Sequence, residues 1–299
     1  MYEMQAHGRL NQKTQQTSLR GFLLRCNDGF GCVQSWECFG HASLEEHWNA
    51  CKEGREHDYP LLVQALECTK EDALARKNGS SWWSDSSVPK SHATITDLSS
   101  QAEEAMQRGF LTWKCKVNSD SFSLIETLMQ NYADVRFRLD FNETGNPDQL
   151  HKWLVSLPND WKARIDFIED PFPYDLNEWN ALSDSCGIAF AVDRAYAEWT
   201  TQSNALPIWK PAWNQCGGIV PDELIVTSAM DHPVGQAWAA YSAAKYAVTN
   251  LCGLRTDHLF EENAFTAVMG EWSPAWPSLE GLGMGFDQQL ENLPWTRLR

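Results

Sequence analysis

The chain has 299 residues, 43% hydrophobic and 21% charged, the balance of a folded soluble enzyme rather than a disordered segment. A formal charge of −16 with no basic cluster argues against a nucleic-acid partner, and no apolar run approaches the roughly 20 residues of a membrane span. Nine cysteines, odd in number and scattered through core-like segments behind the polar start MYEMQAHGRLNQK, read as thiols of a reducing cytoplasm.

The first part of the chain reads as α+β. RGFLLRC and FGCVQSWECF form two strands of a hairpin around Asn27-Asp28-Gly29, a turn signal. Ser43 with Glu46 three residues on is a capping box that opens the helix of LEEHWNACKEG. A second helix covers LLVQALECTKEDALARKNG and stops at Gly79, and Ser-rich SSWWSDSSVPKS reads as a linker. Alternation follows. Short apolar strands are expected near 93–95, 111–117, 135–141, 164–169, 187–193, 207–211, 224–229 and 248–253. LSSQAEEAMQRG, NPDQLHKWLVSL and DLNEWNALSDSCG supply helices with recognisable starts and stops, whereas the crossovers between the fifth, sixth and seventh strands are poorly signalled. The expected fold is an α/β (β/α)8-like barrel at 89–265, an α+β cap at 1–88, and a segment at 266–299 that returns to the cap.

Charges punctuate the ends of the barrel strands. TWKCKV, RLDFN, DFIEDPF, AVD and WKP place Lys114 and Lys116, Asp140, Glu169, Asp193 and Lys210 at intervals of 17 to 29 residues. One strand plus one helix takes roughly 25 residues, so these are groups at the catalytic end of consecutive strands. Period-two alternation points Lys114 and Lys116 to one face and Cys115 to the other, and aligns Arg138, Asp140 and Asn142. Three carboxylates provide hard oxygen donors for Mg²⁺, with Mn²⁺ a possible substitute, flanked by two ammonium groups. A single strand-end acid is more often a turn or cap residue, and a Lys pair two apart more often a solvated face. Five such coincidences in barrel register, with lysines in otherwise apolar runs, favour function. Cys38, His41, His47 and Cys51 are spaced too closely for a zinc finger, and Gly281, Gly283 and Gly285 lack the strand and helix of a phosphate loop.

The order Lys-x-Lys, Asp, Glu, Asp, Lys on successive strands resembles the enolase superfamily and its muconate-lactonizing-type branch; within it the chain is similar to the o-succinylbenzoate synthase family. TSAMDHPVGQAWAA and CGLRT resemble that family's seventh and eighth strand segments. The resemblance implies Mg²⁺ on Asp140, Glu169 and Asp193, Lys116 as general base, Lys210 as the opposing cation, and Lys114 and Asp170 in support. It also implies dehydration of 2-succinyl-6-hydroxy-2,4-cyclohexadiene-1-carboxylate to o-succinylbenzoate in menaquinone biosynthesis. Arg194 departs from the pattern, since many relatives carry an acid after the third ligand. The alternative is an N-acylamino acid racemase or dipeptide epimerase on the same scaffold, whose Asp-x-Asp signature is replaced here by Gly253 and Leu254. HGRLNQKTQQTS and Ser228 are expected to contact the succinyl tail. The partner is a small-molecule carboxylate, and a monomer is expected.

Overall fold

The computed structural model describes residues 1–10, 14–84, 86–216 and 224–298. Two sheets organise it. The first is antiparallel, in the order β1 (Tyr2–Gln5), β2 (Ser18–Cys26), β3 (Gly29–Gln34). Asn27 and Asp28 both take positive φ, 51° and 66°, so the β2–β3 turn is the two-residue primed type that matches strand twist. The hairpin and its turn are as expected, but the second strand stops at Gln34 and Glu37–Phe39, read as strand, is a 3-10 turn; β1 lies in a stretch whose polarity concealed it, and pairs Tyr2 with Gly21. Helix α1 (Leu44–Glu53) starts at Ser43 with the reciprocal Ser43–Glu46 capping box in place. Helix α2 (Pro60–Lys77) begins with Pro at its first position and lies across β3. Gly29 and Gly31 permit that approach: a Cβ at either would run into the α2 backbone at Thr69 or Ala65.

The second sheet is parallel, seven strands in sequence order: β4 (Ala93–Ile95), β5 (Thr112–Lys116), β6 (Arg136–Asp140), β7 (Ile165–Glu169), β8 (Phe190–Val192), β9 (Leu206–Trp209) and β10 (Ile225–Val226). Between them run α3 (Ala102–Gln107), α4 (Phe122–Asn131), α5 (Pro147–Ser156), α6 (Asn159–Lys162) and α7 (Leu176–Cys186). Their boundaries follow local chemistry. Asn146 caps α5 ahead of Pro147, Asp175 accepts from two backbone N–H groups of α7, and Gly187 ends α7 at φ 66°. Trp113, Cys115, Phe137, Leu139, Ile168 and Phe190 face outward and pack under these helices with Ile125, Leu150, Leu154 and Trp179. Phe167, Ala191, Ile208 and Ile225 form a separate small apolar group.

The eighth strand expected at 248–253 is reduced to two bridges. Cys252 pairs with Ser91 and Gly253 with Thr227, and four backbone hydrogen bonds join this point to both edges of the parallel sheet. Gly253 is required there, because a Cβ would collide with the His92 ring and Thr227. Only a 3-10 turn, Tyr196–Glu198, separates β8 from β9; residues 217–223, before β10, lie outside the described set. Helix α8 (Pro233–Lys245) follows β10, and the short helices α9 (Ala264–Val268) and α10 (Asp287–Glu291) complete the chain. No described helix is long and apolar enough to cross a membrane.

The segment read as a linker is a packed crossing instead. Trp82 is buried and stacks on Tyr241 of α8, Ser81 bridges to Gly283, and Trp83 Nε1 donates to the Met284 carbonyl at 2.9 Å. The tryptophans bring enough apolar area to outweigh the serines' preference for open loop. The three tail glycines take φ of 55° to 108°, and their turn delivers the Met284 N–H to Asp72 (2.7 Å) while Asp287 pairs with Arg76. No disulfide joins any of the nine cysteines, seven of which are at least half-buried.

Candidate active site

The parallel register sets the charged groups side by side. Lys116 is level with Asp140 on β6, and Asp140 is level with Glu169 on β7. Lys114 Nζ donates to Glu169 Oε1 at 2.6 Å and lies 3.0 Å from Asp140 Oδ2; Lys116 Nζ donates to the same Asp140 oxygen. Directly after β8, Asp193 accepts from Lys210 Nζ, which extends from the end of β9. All six are at least nine-tenths buried at the side chain. The lysine alternation is therefore as expected, with Cys115 in the outer core.

Burial raises the Asp140 carboxyl, but Lys114 and Lys116 outweigh it and hold the group well below the carboxylate range. Glu169 goes the other way: burial, then Asp140 and Asp193, push it up to about 7 against Lys114. Burial opposes charge on Lys114, yet Asp140, Glu169 and Asp193 keep it firmly protonated. For Lys116 burial is the largest influence; with the Lys114 charge it draws the ammonium below its ordinary value despite Asp140. Burial opposes ionisation of Asp193 as well, and Lys210 and Lys114 reverse that.

A metal fits this donor set. Glu169 Oε2 is buried without a hydrogen-bond partner, and one oxygen each from Glu169, Asp170 and Asp193 lie within 4.8 Å of one another. Asp140 stands outside that group, occupied by the two lysines, and Asp170 stands inside it. Asp170 also shapes the neighbouring loop. Its oxygens accept the backbone N–H of Asp193 (3.1 Å) and of Arg194 (3.2 Å), fixing the turn that carries the third acid. Burial followed by the Asp193 and Glu169 charges raises Asp170 well above its usual range.

A cavity of about 50 Å³ opens above these groups, lined in part by Lys114, Lys116, Asp193, Lys210 and four other residues singled out in the sequence: Asn142, Arg194, Ser228 and Gly253. Ser228 Oγ is 3.1 Å from Thr256 Oγ1. Two named residues stand apart from the cavity. Arg138 lies beneath, donating to Asp166 (2.8 Å) and the Leu251 carbonyl (2.9 Å), 2.9 Å from His92 Nδ1, and stacked on Phe167. Leu254 is fully buried in the apolar cluster behind the strand ends, with its backbone N–H on Ser91. Of HGRLNQKTQQTS, residues 11–13 lie outside the described residues, and His7, Gly8, Arg9 and Leu10 line a different cavity beside Thr96 and Ser119.

The roof was not legible in the sequence. Trp36 and Phe39, on the cap just after β3, stack at 5.3 Å; Trp36 Nε1 donates to the Ala229 carbonyl at 3.1 Å. Trp213 lies under the Lys210 ammonium at 4.3 Å and packs edge-on against His41. SWECFGH carries no periodicity that would mark these rings as a wall; the only signal is the density of aromatics next to a turn.

Residues 1–75 match the family model described as "O-succinylbenzoate synthase, N-terminal domain". The o-succinylbenzoate synthase of Bdellovibrio bacteriovorus is 30% identical over 314 residues, 97% of this chain and 94% of that protein. Among solved structures, o-succinylbenzoate synthase from Thermosynechococcus elongatus BP-1, complexed with Mg in the active site, superposes with a TM-score of 0.65 at 16% identity (87% of this chain, 92% of that one). A dipeptide epimerase from Enterococcus faecalis V583, complexed with Mg and L-Leu-L-Tyr, gives 0.76 at 13% identity (95% and 96%). At such identities these two structures bear on the fold alone, that of a capped TIM barrel, while the full-length sequence match discriminates. The chain belongs to the o-succinylbenzoate synthase family.

Proposed function

We propose that this protein dehydrates 2-succinyl-6-hydroxy-2,4-cyclohexadiene-1-carboxylate to o-succinylbenzoate, the step that serves menaquinone biosynthesis. The observation that carries the reading is the pair Lys116 and Lys210, each lining one small cavity and each held by a strand-end carboxylate, in a chain of this family. Lys116 takes the proton next to the ring carboxylate. The C–H electron pair becomes the new ring double bond as the C–O bond breaks, and the Lys116 ammonium hands its proton to the departing hydroxide, giving water. Burial and Lys114 bring Lys116 toward the range useful for a base. Lys210 stays cationic across the ring and balances the negative charge that develops. Glu169 and Asp193 would hold Mg²⁺, with Asp140 as third ligand once Lys114 and Lys116 release its oxygen and Asp170 bracing the Asp193 turn from within the same acidic group. A bound divalent cation supplies electrostatic stabilisation of charge on the substrate carboxylate, worth several kcal/mol.

An ultraviolet assay on purified protein with Mg²⁺, and again with chelator, tests this. Fast metal-dependent formation of the aromatic product is expected; a folded protein inert on this substrate refutes it. Two opposed lysines also suit proton exchange between faces, so an N-acylamino acid racemase or dipeptide epimerase is the second reading. Metal-dependent deuterium incorporation into an N-acyl amino acid, with no dehydration, would select it.

A further inference from the structure

Arg194 is the cation lining the cavity that has no carboxylate within ion-pairing distance among the described residues. Lys114, Lys116 and Lys210 are each paired with a strand-end acid. The Arg194 backbone is fixed by Asp170, so the side chain leaves the strand ends in a set direction. One guanidinium nitrogen donates to Asn142 Oδ1 at 3.1 Å, and the guanidinium carbon lies 3.5 Å from the centroid of the Phe39 ring. Stacking occupies a face and leaves the edges, where the donors lie. A guanidinium has five N–H donors, and a single hydrogen bond to a neutral amide does not balance its charge. This group is held on an aromatic platform from the cap with donors to spare, an arrangement suited to a planar carboxylate.

The proposed substrate has two carboxylates. The ring carboxylate belongs beside the proton that Lys116 removes, among the acids that would hold Mg²⁺. The second anion, at the end of the succinyl chain, still needs a cation. We propose that Arg194, positioned by Phe39 and Asn142, binds the distal carboxylate and thereby selects for a diacid. The assignment rests on the dehydratase reading and adds a specificity residue to it.

The test is a variant-by-ligand cycle in Mg²⁺. Wild type, Arg194→Gln and Arg194→Met are titrated with o-succinylbenzoate and with its amide at the succinyl end, and their turnover is measured. Wild type should prefer the diacid by about 10- to 100-fold, and both variants should lose that preference. KM should rise by a similar factor, with kcat changed less than about threefold. Variants that keep the preference overturn the proposal, as does an equal loss of affinity for both ligands, which would place Arg194 on the ring carboxylate or in the fold. If one variant fails to fold, the other decides, since Met keeps an unbranched stem on Phe39. Wild-type turnover with an unaltered preference in the variants sinks this assignment alone; a wild type inert on the cyclohexadiene sinks the dehydratase reading and this assignment with it.

Discussion

The strand ends and the cap turn face each other across one cavity and are built on different principles. Lys114, Lys116, Asp140 and Glu169 stand on neighbouring strands in parallel register, buried and locked to one another by charge. Trp36, Phe39 and His41 sit on or beside a three-residue 3-10 turn, held by ring contacts, a bond from the Trp36 N–H to His41 Nδ1 within the turn, and one from Trp36 Nε1 to the Ala229 carbonyl of the barrel. Groups that must keep a fixed spacing are carried on sheet; groups that shape the space around a ligand are carried on loops, where they can shift at little cost.

Substitutions can break this division or sharpen it. Lys116→Ala should have the largest effect, lowering kcat by about 10³- to 10⁴-fold, the upper part of what a positioned base contributes, with o-succinylbenzoate affinity nearly unchanged. Substantial remaining turnover would remove Lys116 from the proton chemistry. Glu169→Gln should raise the Mg²⁺ concentration for half-maximal activity by at least about 10-fold, because the orphaned Oε2 is the best placed oxygen for a cation. Unaltered Mg²⁺ dependence would shift the metal away from β7.

Gly253→Ala probes the barrel closure. The new methyl meets the His92 ring and Thr227, and such overpacking costs about 1–3 kcal/mol, read as a lower melting temperature. An unchanged melting temperature would mean that the closing bridges yield freely, contrary to a rigid strand-end layer. Phe39→Ala should have the mildest effect: KM up about two- to fivefold, from loss of the contact with Arg194, and kcat close to wild type. A fall in kcat comparable with that of Lys116→Ala would abolish the distinction between cap and strand ends. Lys210 offers a further refinement: Arg in its place should retain more activity than Ala if charge alone is needed, and equal inactivity would favour proton transfer.

Much of this was legible in the chain because its cause is local. Asn27-Asp28-Gly29, the Ser43–Glu46 box, Asn146-Pro147 and the Gly187 stop act within a few residues, and each holds in the structure. Apolar runs ended by Lys116, Asp140 and Glu169 announced strands with charged ends, since period-two alternation is a property of the backbone. β1 was hidden because a four-residue edge strand with one buried side chain leaves hardly any apolar pattern. The Trp82–Trp83 crossing looks like a linker only while serine content is weighed above the area of two indoles. The eighth strand is two bridges long, because Cys252 against Ser91 and Gly253 against Thr227 already join both edges of the parallel sheet, with Gly253 small enough to fit between His92 and Thr227.

By itself, then, the sequence determined the alternation of strands and helices, the face on which each charge sits and the order in which the charges meet, all set by chain geometry over a few residues. Only the tertiary structure decided what each charge faces. Glu169 and Asp140 are alike in sequence, yet burial and the neighbouring acids raise one, while Lys114 and Lys116 outweigh burial and lower the other. Arg194 meets Phe39 from 155 positions further along the chain, and no local rule could place an aromatic ring of the cap beneath a guanidinium of the barrel.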